Sequence, residues 1–313
     1  MKKIVALAGG VGGAKLAWGL AQLLGPEELA VIVNTGDDFV HLGLSISPDV
    51  DTVCYTLANL ANPLTGWGRN NETWNTLTEL KRLGAPDWFN LGDLDLALHL
   101  LRTDLLRSGK TLTEVTHIIC NRLGVAHRVF PMSDSPVHTI VATQEKGDLP
   151  FQEYFVKYQC QPQMRSVRFE GIDQASLSAE AAEWLRECDW VIFCPSNPWV
   201  SISPILTVPG AQAIIETKNV LAVSPIIGGQ TVKGPAAKMY QEMGITPSAR
   251  AVAEHYGKLL SGFILDSVDK EQATLIDQCG IIPLVTNTLM SDNQSRIELA
   301  KKTLSFAEKV EKG

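Results

Sequence analysis

Residues 3–33 hold the chain to a narrow choice of folds. An apolar run over residues 3–8 leads into Gly9-Gly10-Val11-Gly12-Gly13. A helical pattern follows over residues 14–24, then a second apolar run over residues 29–33. Two buried strands joined by a helix within about thirty residues pair parallel, through a right-handed crossover. A parallel sheet hides both of its faces, so helices must cover both. The alternation resumes further on. Residues 190–194, 220–223 and 262–265 read as buried strands, and residues 178–186, 210–216, 234–242 and 248–260 as helices. Residues 291–312 form a charged amphipathic terminal helix. The expected fold is α/β: a three-layer, doubly wound, mostly parallel Rossmann-like sheet.

After the second strand the pattern changes. Residues 73–83, 94–106 and 113–123 read as helices, with Trp67, Trp74 and Trp88 among them. The expected organisation is an α/β core of residues 1–54 and 124–313, with a helical insertion, residues 55–123, over the C-terminal edge of the sheet. Residues 138–157 alternate like strands and are expected to form a small extra element.

Composition removes several classes of function. The net charge is −7 and no basic run occurs, which argues against nucleic-acid binding. No apolar run approaches the roughly 20 residues that span a bilayer. The apolar segment near Met1 is short and ends in glycines, so a first strand is expected rather than a secretion signal. Six scattered cysteines, without a CxxC, suit a reducing cytoplasm.

Chemistry concentrates beside the first two strands. Gly9, Gly10, Gly12 and Gly13 follow strand one and open a helix, where backbone N–H groups and the positive dipole end can meet a phosphate. No Gly-Lys-Ser/Thr closes the loop, so it is not a Walker A; Lys15 stands where a dinucleotide fingerprint needs its third glycine. Strand two runs into Asn34-Thr35-Gly36-Asp37-Asp38, followed by Ser45-Ile46-Ser47-Pro48-Asp49-Val50-Asp51-Thr52. Carboxylates gathered at a strand end repel one another unless a cation, a substrate or a raised pKa accounts for them. If residues 49–51 are extended, Asp49 and Asp51 point to one side. If they are helical, both are first-turn acids after Ser47 or Pro48.

Asn90-Leu91-Gly92-Asp93-Leu94-Asp95 is a second acidic cluster, with Asp93 expected as a helix cap and Asp95 in the first turn. Pro195-Ser196-Asn197-Pro198 makes a rigid polar loop after a buried strand. Ser224-Pro225-Ile226-Ile227-Gly228-Gly229 repeats that design, and Lys233 and Lys238 follow near possible phosphates. His99, with Leu96 and Leu100 nearby, reads as a structural histidine. No Gly-x-Ser-x-Gly elbow follows a strand, so direct transfer assisted by a metal and carboxylates is expected over a protein nucleophile.

Taken in order, these motifs, with Pro131-Met132-Ser133-Asp134 and Phe151-Gln152-Glu153-Tyr154-Phe155, resemble the 2-phospho-L-lactate transferase family over nearly the whole chain. The resemblance implies transfer of a phospholactyl or phosphoenolpyruvyl group from a guanosine diphosphate conjugate to the deazaflavin alcohol Fo. GMP is released, magnesium is required, and the product is a precursor of coenzyme F-420. It assigns Fo contact and catalysis to Asp51, with Asn90, Gly92 and Asp93 completing the substrate contacts. On the chemistry of the acids, Asp37, Asp38 or Asp49 is expected to help hold magnesium. The donor nucleotide falls to Gly9, Gly10, Gly12, Gly13, Lys15, Thr35, Ser196 and Asn197. A homodimer is the expected assembly. Asn90 stands where the family is usually basic, Leu94 stands where it often has Arg, and Trp199 and Ser203 replace a small residue and a glycine. A non-catalytic nucleotide-sugar-binding regulator of related fold is the alternative. A nicotinamide-dependent oxidoreductase is disfavoured by Lys15.

Overall fold

The computed structural model describes residues 2–310. Its strands in chain order are β1 Ile4–Ala8, β2 Leu29–Val33, β3 Phe39–His41, β4 Leu44–Ile46, β5 Arg128–Pro131, β6 His138–Thr143 and β7 Gly147–Pro150. They continue as β8 Met164–Glu170, β9 Trp190–Phe193, β10 Asn219–Val223, β11 Ile226–Ile227, β12 Gln230–Thr231, β13 Gly262–Asp266 and β14 Ile282–Thr286. The helices are α1 Gly10–Ala21, α2 Pro48–Leu57, α3 Asn75–Arg82, α4 Asp93–Arg107, α5 Leu112–Leu123 and α6 Ala179–Glu187. After them come α7 Ser203–Thr207, α8 Ala211–Ile215, α9 Ala236–Glu242, α10 Ala249–Tyr256, α11 Ala273–Asp277 and α12 Asn293–Val310.

Seven strands pair parallel in the order β14-β13-β10-β9-β1-β2-β5. The α/β class and the parallel sheet are as the sequence implied. Alternate residues of β1 feed opposite cores. Val5 and Leu7 join a cluster covered by α6, α7, α8 and α10, while Ile4, Ala6 and Ala8 join one covered by α1, α2 and α12. Three layers result. From β1 the chain grows outward through β2 and β5 on one side, and through β9, β10, β13 and β14 on the other. The order therefore reverses between β1 and β9, where an open α/β sheet leaves a crevice at its carboxyl edge.

The edge strands β5 and β14 escape the apolar-run reading because they are not uniformly apolar. Arg128 and Pro131 sit in β5, and β14 carries Pro283 with Ile282 exposed. Proline is tolerated there because an edge leaves N–H positions unpaired. Residues 138–157 are strands only as far as Pro150, and the Glu153–Lys157 turn is π-helical. With β8 the two strands form a three-stranded antiparallel sheet, β7-β6-β8. The terminal helix was expected over residues 291–312; its last two positions lie outside the described residues.

One short element positions the site. Between the two acidic pairs the chain folds into the hairpin β3–β4, turned at Leu42 and Gly43, both at positive φ. That hairpin returns Asp49 to the neighbourhood of Asp37. Helices α4 and α5 pack on α2 through Tyr55, Leu98, Val115 and Ile119.

Candidate active site

A cleft of about 650 Å³ opens at the carboxyl ends of β1 and β9. Gly9, Gly10, Gly12, Lys15, Ser196 and Asn197 all line it. The two loops are stitched together: Ser196 Oγ donates to the Gly9 carbonyl (2.8 Å) and accepts from the Gly9 amide (3.1 Å). Glycine is needed for that approach. A Cβ on Gly12 would lie 2.2 Å from the Pro195 carbonyl oxygen, and one on Gly13 would lie 2.4 Å from Ser196 Oγ. Gly13 thus serves loop packing rather than the cleft wall. Thr35 is also placed off the wall, buried, with its carbonyl accepting from the Asp38 amide (3.1 Å). Lys15 donates to the Met290 carbonyl (2.8 Å), and burial lowers its pKa. Of the two later lysines, Lys233 lines the cleft and donates to the Thr65 carbonyl, whereas Lys238 is paired with Glu242.

Residues 49–51 are helical, so the extended alternative is excluded. Pro48 is the first residue of α2, a position that proline suits, and Asp49 and Asp51 lie in its first turn. Two residues apart on a helix, their side chains diverge. Asp49 turns toward β1 and β2, where Oδ2 accepts from Asn34 Nδ2 (2.9 Å) and the Gly10 amide also donates to the carboxylate. Asn34, passed over in the sequence, also reaches the Val200 carbonyl (3.2 Å) and accepts from the Gly36 amide (2.8 Å). Burial pushes Asp49 up to about 6. Burial, then the nearby Asp49 charge, raises Asp37 well above the usual carboxylate range. Asp38, also raised by burial, accepts from Ser47 Oγ (2.7 Å) behind the cleft wall.

Asp37 Oδ1 finds no hydrogen-bond partner among the described residues, beside the second buried carboxylate of Asp49. An oxygen-only donor set of this kind suits a hard divalent cation such as magnesium. The linkage has a definite sign. These groups have folded pKa values above their unfolded ones, so their burial carries no charge penalty at low pH and destabilises the fold as pH rises through the folded values, about 6 for Asp49. A cation that binds the ionised pair offsets that loss. Added magnesium should therefore raise Tm more at pH 8 than at pH 5 in thermal melts. An equal or larger increment at pH 5 would contradict the pairing.

Asp51 faces α4 and meets residues that the sequence did not mark. Arg102, 1% exposed, donates Nη1 to Asp51 Oδ2 (3.0 Å) and Nη2 to Oδ1. Burial works against the guanidinium charge, but the Asp51 carboxylate more than restores it, and the Arg102 pKa is raised. His99 is not a bystander. Its Nδ1 lies 3.1 Å from Arg102 Nη1 and its Nε2 lies 3.4 Å from Asp95 Oδ2, while Tyr55 donates to Asp95 Oδ1 (2.6 Å). Asp51, Tyr55, Asp95 and His99 line the cleft; Arg102 stands behind them. The ligand atoms of Asp51, Asp95 and His99 lie within 4.8 Å of one another, a spacing that could suit a cation. Arg102 already binds both Asp51 oxygens and faces the His99 lone pair, so the group is an ion-paired network.

The second acidic cluster divides. Asn90 is exposed on the rim of the cleft, held there by Phe39, His41, Trp88 and Phe89, whose rings pack with centroids 4.9–6.2 Å apart. Asp93 does not cap its own helix: the N-cap of α4 is Gly92. The Asp93 carboxylate turns instead to the start of α3, accepting from Thr73 Oγ1 (2.6 Å) and the Asn75 and Thr76 amides, and these bonds hold its pKa low. The amides of Leu94 and Asp95 go to Glu72, which fills the space a Cβ on Gly92 would need. Gly92 and Asp93 therefore shape the rim and do not line the cleft. Trp199 and Ser203 meet at His255, with rings 4.5 Å apart for Trp199 and Ser203 Oγ 3.3 Å from Nε2.

The fold is that of a Rossmann-like α/β protein, with the cleft at the switch point between β1 and β9. The family model of 2-phospho-L-lactate transferase CofD matches residues 4–293, and the chain belongs to that family of phospholactate and phosphoenolpyruvate transferases. It is 40% identical over 319 residues to the phosphoenolpyruvate transferase of Kitasatospora aureofaciens, covering 99% of each chain. It is 38% identical over 303 residues to the 2-phospho-L-lactate transferase of Methanococcoides burtonii, covering 97% of this chain and 99% of the relative. A crystal structure of a UPF0052 family protein from Bacillus halodurans shares the fold, with TM-score 0.65 at 16% identity over 97% of this chain and 99% of that one. Among the described residues no helix is long and apolar enough to cross a membrane.

Proposed function

We propose that the protein moves a phospholactyl-type group (2-phospholactate, phosphoenolpyruvate or a related acid) from a guanosine diphosphate conjugate to the hydroxyl of Fo, releasing GMP, in the cytoplasmic synthesis of coenzyme F-420. The observation that carries this reading is the cleft itself. A glycine-loop cradle at the end of β1 and the paired carboxylate of Asp51 line the same cavity.

The donor is polyanionic and the protein is acidic, so contact depends on backbone donors and on compensated charge. Gly9, Gly10, Gly12, Ser196 and Asn197 offer the diphosphate a concave surface at the start of α1. Asp37 and Asp49 would hold magnesium, which when bound neutralises diphosphate charge. Asp51 accepts the hydrogen bond of the incoming Fo hydroxyl and directs its oxygen at the phosphorus that carries the acid. A new P–O bond forms to Fo, the P–O bond to GMP breaks, and the hydroxyl proton passes toward Asp51 or solvent. Asn90, on the rim, gives the acceptor a neutral hydrogen-bonding partner.

Incubation with Fo, magnesium and guanylylated lactate, enolpyruvate or glycerate donors, with products read by mass, tests the reading. A product of Fo plus the phospho-acid, with GMP, is expected from at least one donor. Absence of product together with absence of Fo binding, followed by Fo fluorescence, would overturn it in favour of the non-catalytic regulator.

A further inference from the structure

Five side chains from two helices stand in a line along one side of the cleft, four on its wall and Arg102 behind them. Asp51 and Tyr55 stand one turn apart on α2; Asp95, His99 and Arg102 share one face of α4. The Arg102 guanidinium can only donate, so His99 Nδ1 facing it must carry the lone pair. The proton of neutral His99 is then on Nε2, toward Asp95, whose other oxygen takes the Tyr55 hydroxyl. His99 Nδ1 meets Arg102, and the line ends on the two oxygens of Asp51. Asp38 and Cys54 face this group from the β2 and α2 side, and His41 from the hairpin.

We infer that Arg102 is a positioning residue for the transfer, and that His99 orients Arg102 in turn. Resting on the reading of Asp51 as the receiver of the Fo hydroxyl, the inference assigns the aim of that carboxylate to the guanidinium fork. Without a partner the Asp51 carboxylate is free to change rotamer. The two-pronged pair prevents this and keeps the remaining lone pairs toward the cleft. A displacement of about 1 Å at such a group costs on the order of a hundredfold in rate.

The test compares Arg102→Ala, Arg102→Lys, His99→Gln, His99→Leu and Asp51→Asn, each checked for fold by circular dichroism. Arg102→Ala should lose about a hundredfold in kcat with the donor KM nearly unchanged, and added guanidinium should recover at least tenfold of it. Guanidinium should do nothing for Asp51→Asn. Arg102→Lys, which keeps the charge but not the fork, should stay folded and lose about tenfold. His99→Gln should outperform His99→Leu, because its amide oxygen can still accept from Arg102. If Arg102→Ala fails to fold, the lysine and His99 variants decide. Wild-type kcat in Arg102→Lys with equal rates for both His99 variants, or a loss in folded Arg102→Ala that guanidinium does not relieve, would overturn the inference. Full turnover by Asp51→Asn would instead overturn the reading beneath it.

Discussion

Asp51→Asn is expected to abolish turnover, by at least about a thousandfold in kcat, because it removes both the charge and the basicity of the group proposed to meet the acceptor hydroxyl. The structure adds a second consequence. Asp51 neutralises a guanidinium that is 1% exposed, and breaking a buried pair by removing one charge costs about 3–5 kcal/mol as an upper bound. The asparagine oxygen still accepts one Arg102 donor, and Asp38 supplies some compensating field. A Tm lower by a few degrees, at most about 8 °C, is the expected companion of the activity loss. Kinetics with Fo and a melting curve on one preparation check both. A folded variant that keeps near-normal kcat would remove Asp51 from the mechanism.

That double effect separates what the sequence carries from what it hides. Continuous apolar runs such as residues 29–33 announce central parallel strands, because burial on both faces leaves no polar positions. The acids after that run are conspicuous for the opposite reason: nothing local explains them. Their partners were not legible. Arg102 lies 51 positions beyond Asp51 on a helix that reads as an ordinary amphipathic one, and His99 beside leucines looks like core. A signal existed in the i, i+4, i+7 spacing of Asp95, His99 and Arg102, which sets three polar groups on one helical face. Only the packing of α4 on α2 shows what that face meets. Asp93 errs the other way. It carries the composition of a cap, but tertiary packing spends it on α3 rather than on its own helix.

The second large effect is expected at a residue with no functional group. Gly12→Ala should reduce kcat/KM for the donor at least about a hundredfold and lower Tm by several degrees. The added Cβ would lie 2.2 Å from the carbonyl oxygen of Pro195, a backbone atom at the end of β9 that cannot swing aside. Pro195 lies between Cys194, whose amide is bonded to the Leu7 carbonyl, and Ser196, which is bonded twice to Gly9. To relieve the clash the two loops must part, which costs about 1–3 kcal/mol as overpacking does and breaks the Ser196–Gly9 bonds. Gly10 is the control. Its added Cβ would find only Asp49 Oδ1, at 3.5 Å, so Gly10→Ala should suffer chiefly from its φ of +60°. Donor KM should rise steeply for Gly12→Ala while Fo affinity, measured by fluorescence, stays close to wild type, because the clash falls on Pro195 and on neither Asp51 nor Asn90. Equal loss of both affinities would mean that the glycine loop supports the whole cleft rather than the donor half of it.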